Sequence, residues 1–162
     1  MPVFPSIASA AYSFTTSEGL FNKSFEGLSA EEWQRRPNAS SNHMLWVAGH
    51  VIWARAAVLG MLGQPWTQPW FHLFTRGSKT VGADEYPSAG EILSSFAEVS
   101  TRLTAALDAA TDEALSAPAP ERIPSADKTL AGTILFLAHH DAYHLGQAAY
   151  IRAWLGHGGI VG

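Results

Sequence analysis

The chain has 162 residues, 47% of them hydrophobic, a length and composition that suit one domain over residues 1–162 with a substantial core. It has no cysteine, which excludes disulfides, thiolate metal ligands and a cysteine nucleophile together, so a transition-metal site here must use His, Asp or Glu. A formal net charge of −4, with scattered basic residues and no Lys/Arg cluster, argues against a nucleic-acid partner.

The apolar stretch Met1 to Phe14 carries no Lys or Arg before Lys23, so it lacks the basic n-region of a signal peptide, and a cytoplasmic location is expected. The first helix is predicted over about Ile7–Leu28, with Ile7, Ala11, Phe14, Phe21, Phe25 and Leu28 near a 3.6-residue repeat. Ser29-Ala30-Glu31-Glu32 then fits a capping box for a short helical turn, stopped by Arg36-Pro37-Asn38. The second helix is predicted from near Ser41 to about Leu62, with His43, Trp46, Val47, His50, Trp53, Ala54, Ala57 and Met61 on one stripe. His50 and Arg55 interrupt the most apolar run, Met44 to Leu62, so no membrane span is expected.

Residues 63–87 are rich in Pro, Gly and aromatics, and their length exceeds what neighbouring antiparallel helices need, so this segment is predicted to cross the bundle. A second capping box, Ser88-Ala89-Gly90-Glu91, opens a third helix to about Ala110. After a Pro-rich segment from Pro118 to Pro124, the last helix is predicted from near Asp127 or Thr129 to Leu155-Gly156, with a Gly-rich tail expected to fray. No strand-like alternation, internal repeat or phosphate-binding glycine loop competes with an all-α fold.

Within the last helix, His140-Asp141-Ala142-Tyr143-His144-Leu145-Gly146-Gln147 sets two imidazoles four residues apart. Four helical residues advance about 400° and roughly 6 Å, so both rings leave one face and can grip a single ion. Thr133, Leu137, His140, His144, Gln147 and Ile151 form a four-three-four-three-four series, which is expected to face the core. Two buried imidazoles need partners, and from spacing alone a hydrogen-bond network and a metal are equally good ones.

The chain resembles the DinB/YfiT-like family of metal-dependent four-helix bundles through Trp46-x-x-x-His50 in the second helix and His140-x-x-x-His144-x-Gly146-Gln147 in the last. The resemblance implies an up-down-down-up bundle with its crossover at residues 63–87. It also implies a divalent metal held by His50, His140 and His144. Three imidazoles without carboxylate or thiolate leave open positions on the ion, and zinc and nickel both suit such a nitrogen set. Characterised relatives use low-molecular-weight thiols, so the resemblance further implies a thiol S-transferase acting on a small electrophile. A non-enzymatic metal-binding stress-response bundle and a metal-dependent hydrolase are the alternatives.

Other side chains have less defined roles. His43 shares the face of His50 but lies two turns, about 10 Å, away. His139 points about 100° from His140 and is assigned a structural role. His72 sits in the aromatic connection, Gln147 is expected either to steady His144 or to pack, and Glu18 is the one carboxylate nominated as a general base. Six Trp and eight Phe with only 15% charged residues exceed what four helices easily cover, so a homodimer is expected.

Overall fold

The computed structural model describes residues 5–161. Residues 1–4, which begin the apolar N-terminal stretch, and Gly162 lie outside it. Among the described residues the chain is all-helical, with α1 (Pro5–Phe25), α2 (Met44–Met61), α3 (Ala89–Ala109), a short α4 (Asp112–Ser116) and α5 (Leu130–Trp154). Short 3-10 turns occupy Glu32–Gln34, Phe71–Phe74 and Ala83–Glu85. The turn α4 was not foreseen; Thr111 caps it by accepting from the Ala114 amide.

Local chemistry sets the helix ends. α1 stops at Phe25, three residues before the predicted Leu28, because Gly27 takes a left-handed conformation with φ +74°. Both expected capping boxes form, with Ser29 and Glu32, and Ser88 and Glu91, exchanging side-chain and backbone hydrogen bonds. α2 begins at Met44 and not near Ser41, since His43 has extended backbone and its Nδ1 accepts the Trp46 amide at 3.0 Å. The imidazole thus does the work usually given to a Ser or Asp cap, and this answers where His43 belongs. Gly63 and Gly156 close α2 and α5 with paired bonds, Gln64 to Leu59 and Gly63 to Gly60, then His157 to Arg152 and Gly156 to Ala153.

The glycine-rich tail does not fray over its described length. Arg152 Nε donates to the Gly158 carbonyl, His157 pairs with Glu32 at 3.0 Å, and Ile160 is buried.

The four long helices contact one another in a closed ring, α1 on α5, α5 on α2, α2 on α3 and α3 on α1. Their buried side chains form one continuous apolar cluster. α2 is long and apolar enough to cross a membrane, yet 72% of that stretch is buried inside the fold, which is how a core helix is covered on nearly all sides.

The 63–87 segment folds back over α2. Phe74 is fully buried against Gly49, where any Cβ would collide with its ring, so only glycine lets the two chains approach. Trp46 Nε1–H donates to Ser78 Oγ, which donates to the Leu73 carbonyl, and Gly77 with φ +79° completes a turn from Thr75 to Ser78. Most of the aromatic surplus is absorbed in this way: of the tryptophans only Trp154 is exposed. The large exposed apolar residues are instead mainly Tyr12, Tyr143 and Tyr150.

Candidate metal centre

His50 from the middle of α2 meets His140 and His144 from α5, and one ring nitrogen of each lies within 4.8 Å of the others. The His140 Nε2 is 3.2 Å from His50 Nε2 and 3.1 Å from His144 Nε2. Three nitrogens bound to one tetrahedral ion at about 2.05 Å would stand about 3.3 Å apart, so these spacings fit such an ion with little movement.

Second hydrogen bonds fix which nitrogen faces inward. The Phe74 carbonyl can only accept, so His50 Nδ1 carries the proton that reaches it at 2.7 Å and Nε2 presents a lone pair. Gln147 accepts from His144 Nδ1 at 2.8 Å through its amide oxygen and donates through its amide nitrogen to the Tyr143 hydroxyl at 3.2 Å. His144 is thereby set in the same tautomer. Two lone pairs then face His140 Nε2, which has at most one hydrogen to offer, while the buried His140 Nδ1 has no partner among the described residues. Hydrogen bonds among the three rings leave a surplus acceptor. A cation that takes all three lone pairs removes it, and the donor set fits one.

Stacking holds the rings. Trp46 lies parallel to His50 at 4.7 Å and 9°, and Trp53 covers its other side at 5.4 Å. The tryptophan four residues before His50 is therefore a clamp for that imidazole, a role that its helical spacing permits but does not reveal. Burial pushes the pKa of all three histidines down, that of His144 to about 4, with the neighbouring rings adding to the effect at His50 and His144. They are neutral at pH 7 and ready to donate their lone pairs.

The triad opens into a cavity of 690 Å³, walled by side chains that include Trp53, Ala57, Ile123, Phe136 and Leu137. This opening corrects the predicted core seam of α5. The buried face runs through Leu137, Asp141, His144 and Ala148, whereas His140 and Gln147 sit half-buried at its edge. Thr133, Leu137, His144 and Ile151 are buried as predicted, so the correction concerns His140 and Gln147 alone. His139 is exposed and does not line the cavity, and His72 is exposed with its Nδ1 on the Pro69 carbonyl. Glu18 is half-buried on α1 and does not line the cavity, and among the described residues no carboxylate lines it.

A buried ion pair behind the site escaped the sequence reading. Arg55 and Asp141, 1% and 2% exposed, meet through Nη2 and Oδ2 at 2.8 Å and Nε and Oδ1 at 3.3 Å. Arg55 also donates to Ser100 Oγ at 2.6 Å and to the Phe14 carbonyl at 3.2 Å, so one guanidinium ties α2 to α1, α3 and α5. Phe96 and Phe14 cover its faces. Signals existed: Arg55 interrupts an apolar helix, and Asp141 lies four residues from inward Leu137.

The sequence profile of the DinB superfamily matches residues 13–148. A solved structure, described as the conserved protein of a locus from Enterococcus faecalis, superposes with a TM-score of 0.71 over 94% of this chain and 96% of that one, at 15% identity, and so shares the fold. No curated protein matches the chain. With the superfamily profile covering most of its length, the chain belongs to the DinB superfamily.

Proposed function

We propose that the chain is a four-helix bundle of up-down-down-up course whose His50, His140 and His144 hold one divalent transition metal, zinc or nickel, for a thiol S-transferase reaction on a small electrophile. The convergence of three Nε2 lone pairs at the base of a 690 Å³ cavity carries this reading. The ring of helix contacts and the long 63–87 segment support the bundle course.

When bound, such an ion would lower the pKa of a thiol and hold it as thiolate. The thiol proton would pass to solvent at the cavity mouth, the sulfur electron pair would form the new bond to the electrophilic carbon, and the leaving group would depart with the pair of its broken bond to that carbon and take up a proton from solvent. The chain's part is positioning. Trp46 and Trp53 fix the His50 ring, Gln147 fixes His144, and the apolar wall keeps bulk water from the reacting atoms. The Tyr143 oxygen already accepts from Gln147, which frees its hydrogen to face a substrate in the cavity.

Untagged protein is expected to hold about one divalent metal per chain by elemental analysis and, metal-loaded, to consume a low-molecular-weight thiol with an electrophile faster than metal-stripped protein. Loaded protein that leaves the thiol untouched would favour the non-enzymatic bundle, or a hydrolase if the electrophile is consumed with water. Protein that neither retains nor takes up zinc or nickel overturns the ligand set.

A homodimer belongs to the same proposal, on a basis different from the aromatic surplus. Tyr143, Tyr150 and Trp154 lie on one face of α5, 62%, 61% and 39% exposed, with Gly146 between them leaving room for another helix. Light scattering is expected to give about twice 17.4 kDa, and Tyr150→Glu to give the monomer. A mass of 17.4 kDa at every concentration refutes it.

A further inference from the structure

The cavity over the histidine triad carries an unusual charge balance. Five of the chain's arginines have partners: Arg55 on Asp141, Arg102 on Glu98, Arg36 on Thr80, Arg35 over Trp154 and Arg152 on backbone carbonyls. The remaining two, Arg76 and Arg122, have no hydrogen bond, ion pair or ring contact among the described residues, and both line this cavity. No Asp or Glu lines it with them. In a chain of net charge −4, the opening above three neutral imidazoles is therefore locally positive.

The two arginines stand on turns that the fold ties down. Arg76 is at the tip of the Thr75–Ser78 turn, which hangs from Trp46 through Ser78. Arg122 is in the turn closed by the Ile123 amide on the Pro120 carbonyl. That loop is pinned to the start of α5 by Ala119 on Lys128 and Leu130 on Ala117, bonds of 2.9 and 2.8 Å. One cation thus comes from each of two separate connections, and between them and the histidines the wall is apolar, with Trp53, Phe136 and Ile123. A guanidinium at a pocket mouth recognises a carboxylate by paired N–H donors, while the wall rewards an apolar body.

We infer that this cavity selects an anionic amphiphile, a small molecule whose carboxylate pairs with Arg76 and Arg122 at the mouth while its apolar body lies against Trp53 and Phe136 toward the histidines. The inference rests on the proposed reading of this cavity as the substrate site, and it names the class of substrate; it does not require the metal. The two arginines are specificity determinants, since they discriminate charge without touching the reacting end.

The test compares 4-phenylbutyrate with its neutral amide, 4-phenylbutyramide, by calorimetric titration into zinc-loaded and metal-stripped protein. The carboxylate is expected to bind about tenfold more tightly than the amide in both forms, from two charge-assisted contacts of modest, partly solvated strength. Arg76→Gln and Arg122→Gln should each cut that preference about threefold, and the double variant should reduce it to within about twofold. Amide affinity and zinc stoichiometry should stay unchanged, which shows that the cavity and fold are intact. A carboxylate preference that survives in the double variant, or that exists only with zinc, assigns the anion to the metal and overturns the inference while leaving the metal reading standing. Failure of the carboxylate to bind the wild type also overturns it. An arginine-dependent preference in protein that binds no zinc supports the inference and rejects the metal.

Discussion

Asp141→Ala is expected to lower the unfolding free energy by about 3–5 kcal/mol, the usual cost of leaving a buried charge without its partner. Arg55 would keep Ser100 and the Phe14 carbonyl, but neither is charged, and its guanidinium is 1% exposed, so water cannot replace the lost carboxylate. For a chain of this size each kcal/mol moves the melting temperature by about 2–4 °C, so a fall on the order of 10 °C should be seen by calorimetry. Exchanging both partners, Arg55→Met with Asp141→Leu, should recover most of the loss, because the pair's own net contribution is small once its desolvation is counted. A drop below about 1 kcal/mol in the single variant would mean that the interior around Arg55 is wetter than its burial indicates.

The same pair shows what periodicity conceals. A pattern search treats charged positions as outward, so the α5 series Thr133, Leu137, His140, His144, Gln147, Ile151 passed beside Asp141 and Ala148, which face the core. Of that series Thr133, Leu137, His144 and Ile151 are buried as predicted, while His140 and Gln147 are half-buried at the edge of the packed face. What was legible rested on local chemistry: the Ser29–Glu32 and Ser88–Glu91 boxes, the glycine stop at Gly156, and the i, i+4 histidines. The meeting of His50 with His140 and His144 followed from the family resemblance, since α2 and α5 are ninety residues apart at that point and no local rule pairs them. His43 was misplaced because an imidazole is an uncommon cap. The Phe74 carbonyl that orients His50 comes from a connection whose path depends on one close approach, Phe74 over Gly49. Sequence shows a glycine there without showing what it admits.

Substituting the triad should separate ligands from neighbours by the size of the loss. His50→Ala, His140→Ala and His144→Ala are each expected to weaken zinc binding by more than about 100-fold. Gln147→Ala, which frees the His144 ring without removing it, should cost about 10–100-fold, as loss of a ligand's hydrogen-bonded support typically does. His139→Ala should change nothing, because that side chain is exposed and points away. The pH profile tests the same geometry from another side. Zinc needs neutral imidazole, and proton competition begins only as pH falls through the pKa of the free site. An ordinary histidine near 6.5 would lose about tenfold in affinity per pH unit from there downward, and three would lose it together. Burial holds His144 at about 4 and pushes His50 and His140 down as well, so the triad charges at lower pH than free imidazoles do. Competition titrations from pH 7 to pH 4 should therefore show the loss of affinity setting in below pH 6.5, at lower pH than for free imidazoles. A steep loss starting at pH 6.5 would mean that water reaches the three rings before the metal does, and that the stacking of Trp46 and Trp53 does not seal them in solution.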